Sequence, residues 1–217
     1  EEMKNQRSVD MSRKGLKPLL VVALLVVLGV GAAAQQDITL IEAVTTDNTA
    51  AVRASLERGD DVDAQQVDGT TVLHLAVSRN NLDVAELLIR AGADVRVTNR
   101  YGVSPLALAC LNGNVAMVEK LLEAGADANS TQQGGESALM TAARTGNATV
   151  VQQLLARGAD VNAREDWKGQ TALMWAAAEN NAAAVQTLIA GGADIAARSE
   201  TSRGVNELGN RGFTAFT

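Results

Sequence analysis

Two series of glycines run through the sequence in register. One falls at Gly69, Gly102, Gly135 and Gly169, the other at Gly92, Gly125, Gly158 and Gly192. Each series steps by 33, 33 and 34 residues, and every member of the first lies 23 positions before its partner in the second. A fixed inner spacing with variable gaps outside it means a rigid unit repeated along the chain, with length changes confined to one loop. Those gaps are ten positions from Gly92 to Gly102, eleven from Gly158 to Gly169 and twenty from Gly192 to Gly212, so residues 199–210 form an enlarged insertion.

Within each unit a hydroxyl residue stands two positions after the first glycine and opens an apolar stretch: Thr71, Ser104, Ser137 and Thr171. A side-chain oxygen there can accept a backbone N–H as a helix N-cap, and Pro105 suits the first helical position, where no amide hydrogen is needed. The helix so started presents Leu73 and Ala76, and their counterparts in later units, three apart on one face. Alanine at such a position lets neighbouring helices approach closely. Asn80–Asn81, Gly113–Asn114, Gly146–Asn147 and Asn180–Asn181 tolerate the left-handed backbone of a tight turn. A second helix then carries Ala85, Leu88 and Ile89; Val118, Leu121 and Leu122; Val151, Leu154 and Leu155; and Val185, Leu188 and Ile189 as a buried stripe at helical spacing. The second glycine of each unit caps its end.

Units that read Gly69-Thr70-Thr71-Val72-Leu73-His74-Leu75-Ala76 and Leu121-Leu122-Glu123-Ala124-Gly125-Ala126-Asp127 resemble ankyrin repeats over about residues 37 to 217. The resemblance implies an all-α solenoid of stacked helix-turn-helix units, with hairpin loops projecting at right angles into a concave surface. Repeats are expected at about 65–98, 99–131, 132–164 and 165–198, behind an N-terminal capping repeat at 37–64. Only Pro105 keeps the family's proline and only His74 its histidine, replaced by Ala107, Met140 and Met174, so the hydrogen bonding that opens the first helix is expected to be weaker in three units.

The ends depart from the pattern. Asp37 to Val62 has a helical stretch through Val52 and Leu56 but no glycine-threonine opening, and Ser55 stands where later units have leucine. Gly212 to Thr217 restarts the repeat without room for its first helix, which is read as a truncated repeat of a longer protein. At the start, Arg13, Lys14 and Lys17 precede an apolar run from Leu19 to Val30 and then Gly31 and three alanines, the order of a secretory signal peptide. The run is shorter than the ~20 apolar residues needed to span a bilayer. Cleavage after Ala34 and delivery across an inner membrane to the periplasm are expected, with a retained anchor as the competing outcome.

Composition narrows the chemistry. With five aromatics in all, the core must be built from small aliphatic side chains, which favours stacked helices over a sandwich or barrel. The lone Cys110 allows no intramolecular disulfide and no cysteine-rich zinc site. The lone His74 removes most nucleophile and base pairings. Formal charge is −6, and since residues 1–34 carry five basic and three acidic side chains the remainder is near −8, a poor match to a phosphate backbone. Asp60–Asp61, Asp94, Asp127, Asp160 and Asp194 are spread too far along the chain for a calcium loop and are read as turn residues.

These considerations point to a monomeric, non-enzymatic scaffold that binds a partner protein, with no cofactor, metal or nucleic acid. In ankyrin repeats binding is carried by hairpin tips and the exposed face of the first helix. That places Arg100, Tyr101, Trp167, Lys168 and Gln170 at or beside tips, with Leu75, Leu108, Thr141 and Trp175, then Glu179, on the helix face. Tyr, Trp and Arg are the usual interface anchors. The competing assignment for the tryptophans is packing, Trp175 against an adjacent hairpin and Trp167 over the residues beside it. Competing functions are an accessory module of a larger enzyme and an architectural spacer in the cell envelope.

Overall fold

The structure is a computed structural model that describes residues 38–200. The expected signal segment, the truncated repeat and nearly all of the insertion lie outside the described residues. Ten α-helices alternate in two rows: α1 (Leu40–Thr45), α3 (Val72–Ser78), α5 (Pro105–Asn112), α7 (Ala138–Thr145) and α9 (Ala172–Ala178) form the first, and α2 (Thr49–Arg58), α4 (Leu82–Arg90), α6 (Val115–Glu123), α8 (Ala148–Ala156) and α10 (Ala182–Ala190) the second. Each helix packs on its partner in the pair and on the same-row helices before and after it. The described residues contain no strand, only isolated bridges from Gln65 to Thr71 and from Thr131 to Ser137 at hairpin bases.

The helix starts are where the hydroxyls predict them. Thr71, Ser104, Ser137 and Thr171 each accept the N–H of the residue three further on. Asn80, Gly113, Gly146 and Asn180 take left-handed backbone between paired helices. His74 alone completes a capping box. Its Nδ1 accepts the Thr71 N–H at 3.2 Å, which leaves the ring proton on Nε2 to donate to Val103 O in the next unit at 2.9 Å. Ala107, Met140 and Met174 have no polar side-chain atom for this return bond, as the sequence implies.

The structure adds to two expectations. The capping repeat is a full helix pair: α1 buries Leu40 and Ala43, each 33 positions before Leu73 and Ala76, although no glycine-threonine step announces it. Thr39 supplies the cap instead, accepting Glu42 N–H. The buried stripe of the second helices keeps most of its expected members, Ala85 and Leu88, Val118, Leu121 and Leu122, Val151 and Leu154, and Leu188, and widens by one position toward the N-terminus to Val84, Met117, Val150 and Ala184. Ile89, Leu155 and Val185 are half-buried and Ile189 is exposed. Short helices clamped between two neighbours bury a flank as well as a face.

Three columns of hydrogen bonds tie unit to unit. At the turns inside helix pairs, the Asn114 and Asn147 amides reach Asn80 Oδ1 and Gly113 O, and Asn181 reaches Ala143 O. Between units, Asp63, Asn129 and Asn162 accept the N–H of Asp94, Asp160 and Asp194, and Arg96 Nε donates to Gly125 O. Asp94, Asp127 and Asp160 each accept the N–H two residues on, the turn role read from the sequence. At the hairpins, Arg100 N–H donates to Asp68 O, Gln133 N–H to Tyr101 O, Asp166 N–H to Gly134 O and Glu200 N–H to Lys168 O. Successive tips are thereby fixed to one another.

Candidate protein-binding surface

Each hairpin closes on a backbone pair. Gln66 bonds Thr70, Asn99 bonds Val103 and Gln132 bonds Glu136, four residues apart, but in the fourth hairpin Glu165 bonds Gln170, five apart. The extra residue is the source of the eleven-position gap in the glycine series. It is accommodated by the Glu165 carboxylate, which turns into the loop and accepts Trp167 N–H at 2.6 Å and the Lys168 and Gln170 N–H groups at 2.9 Å each. Burial alone would raise this carboxyl's pKa; the three N–H donors and the Lys168 charge outweigh it and hold the group below the ordinary carboxylate range. In the second hairpin the shorter Asn99 carboxamide accepts Tyr101 and Val103 N–H.

Above this frame the Trp167 side chain is 81% exposed. Its indole edge rests over Gly134 of the preceding tip: a Cβ on Gly134 would lie 3.2 Å from Nε1 and 3.4 Å from Cε2. Trp167 therefore packs on the neighbouring hairpin's backbone rather than over its own loop. Tyr101 is 49% exposed, with the Arg100 guanidinium 5.1 Å from its ring centroid and bonded to its hydroxyl. Lys168 is exposed, and Gln170 is held half-buried by the Glu165 bond.

Leu75, Leu108 and Trp175 occupy one position of successive first-row helices and are half-buried. Thr141, expected beside them, is buried and donates its hydroxyl to Glu136 Oε1 at 2.8 Å. The row is thus broken in the middle. On one side lie Leu75, Leu108, Tyr101 and Leu111, the last 50% exposed. On the other, Arg144 lies 5.6 Å from the Trp175 ring centroid and 3.5 Å from Glu136, covering part of the indole. Trp175 Nε1 is buried without a hydrogen-bond partner. Glu179, at the end of α9, is exposed.

The sequence also places Gly134 at a tip and Glu136 just beyond its glycine, but it misses Glu165 and Arg144. The one-residue lengthening before Gly169 was the available signal for the first. No pattern in the sequence marks Arg144, whose contact with Glu136 and Trp175 depends on how far a long side chain reaches. Cys110 is buried and burial pushes its thiol up to about 12, so no thiolate is available near neutral pH. Among the described residues no cluster of His, Cys, Asp and Glu is placed to hold a metal ion, and no helix is long and apolar enough to cross a membrane.

The family model for ankyrin repeats, a three-repeat block, matches residues 40–132 and again residues 107–199. The chain belongs to the ankyrin-repeat family. A search of curated proteins gave no match. Ankyrin repeats are in general protein-protein interaction modules without catalysis of their own.

Proposed function

We propose that this ankyrin array binds one partner protein through its tips and first-row helix face, and that it does so as a monomer in the periplasm after export and cleavage behind Ala34. The observation that carries the reading is the set of large apolar side chains left uncovered on that side: Tyr101, Leu111 and Trp167, with Leu75, Leu108 and Trp175 half-covered beside them. Large apolar groups clustered on one side and rimmed by polar ones mark interaction surfaces. Arg100, Lys168, Gln170 and Glu179 supply that rim, giving register rather than bulk affinity. The absence of strong single-sign charge there, beside an acidic whole, argues for a protein partner over nucleic acid.

The test is capture from envelope extract by residues 35–217, compared with a Tyr101→Ala, Trp167→Ala, Trp175→Ala variant of equal melting temperature. A protein retained by the parent and lost by the variant supports the reading. Retention by both moves the interface off this face, and capture by neither favours a spacer or an accessory module. Export is tested separately by fractionating cells that express the full chain: a processed form beginning at Gln35 in the periplasm is expected, and an unprocessed cytoplasmic product would overturn that part.

A further inference from the structure

An indole that is 81% exposed is unusual for a side chain whose own backbone is so firmly held. The Trp167 N–H, its neighbour's and that of Gln170 all end on one buried carboxylate, at 2.6, 2.9 and 2.9 Å. Flanking residues are tied down on both sides, by Asp166 N–H to Gly134 O of the preceding hairpin at 2.9 Å and by Glu200 N–H to Lys168 O. The indole edge rests on a glycine whose missing Cβ leaves the room it uses. No other described hairpin has a carboxylate at the closing position, where the first and third have glutamine and the second asparagine; in the first, Asp68 accepts the Thr70 N–H instead.

We infer that Glu165 is a positioning residue that presets Trp167 as a protruding anchor, and that the anchor fits an apolar recess on a folded partner. This rests on the binding function proposed above and specifies its chemistry. A protruding indole loses its water-exposed area only when enclosed on several sides, which a concave pocket does and an extended peptide lying along the helices does not. Trp175 is the opposite case, partly recessed and roofed by Arg144. Side chains of both signs surround the tip, Glu165, Asp166 and Glu200 against Lys168 and Arg164; the Glu165 carboxylate is taken up by three N–H groups and Arg164 by Gly169 O and Arg198 O. With no single sign of charge presented beside the indole, the recess it fits is apolar and uncharged. Fixing the loop in advance removes an ordering cost that binding would otherwise carry.

The experiment needs no partner. In a Trp175→Phe background Trp167 is the only indole, and its time-resolved anisotropy and acrylamide quenching report mobility and exposure separately. High quenching with little fast depolarisation is expected. Adding Glu165→Gln should introduce a large fast component, and speed amide exchange at Trp167, Lys168 and Gln170 several-fold, while exchange in α9 stays unchanged. On acidification the fast component should appear in the parent only below the ordinary carboxylate range. It should be absent as a transition in the Glu165→Gln form, which separates Glu165 from Asp166 and Glu200. β-Cyclodextrin, a rigid apolar cup, should shift the Trp167 emission and leave a Trp167→Phe protein, with only Trp175, unaffected. An indole already mobile in the parent, or unmoved by Glu165→Gln, overturns the positioning role; equal response of both tryptophans to the cup overturns the anchor geometry. Failure to capture any partner would sink the binding function while leaving these readouts intact, so the two failures are told apart.

Discussion

At the scale of single residues, the fold rests on leucines with no exposed surface, and Leu121 is representative, buried in α6 between α4 and α8. Leu121→Ala should cost about 2 to 5 kcal/mol in urea unfolding, as truncation of a packed leucine does. His74 makes a different kind of claim. Burial pushes its pKa below the ordinary 6.5, against the opposing pull of the Val103 carbonyl and the Asp68 charge. The unfolded chain therefore takes up the proton first as pH falls, so stability is full above about 6.5 and declines below it toward the folded-state value. The urea midpoint should drop on acidification from about pH 7.5 to about 5.5 by more in the parent than in His74→Asn. Equal drops would show that the ring titrates freely in the folded protein.

At the scale of elements, what was legible depended on whether a role was local or relayed between units. The N-caps at Thr71, Ser104, Ser137 and Thr171 were readable because a cap needs only a hydroxyl and the three residues after it. The stripe of the second helices was legible at Ala85, Leu88, Leu121 and Leu154, but its widening to Val84, Met117 and Val150 was not, because burial against a neighbouring unit is something periodicity inside one helix does not report. Of the capping repeat, only the second helix was legible, through Val52 and Leu56; α1 was not, because its cap, Thr39, falls one place off the register of the later hydroxyls. Glu165 was invisible as a ligand for three N–H groups, since only the folded loop brings them together. Asn129 tests the relay directly. Its side chain accepts Asp160 N–H at 2.8 Å and donates to Gly158 O at 2.9 Å, both in the next unit. Asn129→Ala removes both bonds at an exposed site and should lower stability by about 1 to 2 kcal/mol, read from the urea midpoint, with helix content unchanged. A neutral result would mean water replaces both bonds without loss.

At the scale of the whole array, each unit touches only its neighbours, so stability is close to a sum of unit terms and interface terms along a line. A defect in the middle should then act differently from one at an edge. Leu121 sits with a unit on each side, whereas Val52, also fully buried, lies in α2, which among the described helices has only α4 beside it in its row. Val52→Ala should speed amide exchange in α1 and α2 and fade by α5, because the later units keep all their interfaces. Leu121→Ala should raise exchange in α3 to α8 together, since loosening the central unit weakens two interfaces at once. The hairpin column adds its own requirement, because Arg100 N–H to Asp68 O and Gln133 N–H to Tyr101 O pass through the central unit, and Asp166 N–H to Gly134 O carries the column on to the hairpin of Trp167. Trp167, which rests on Gly134, should therefore gain mobility in Leu121→Ala and none in Val52→Ala. Native-state exchange by mass spectrometry, with Trp167 anisotropy on the same samples, decides it. A uniform rise across all helices in both variants would mean that the array unfolds as one cooperative block and that the surface is held by the whole stack rather than by the units beneath it.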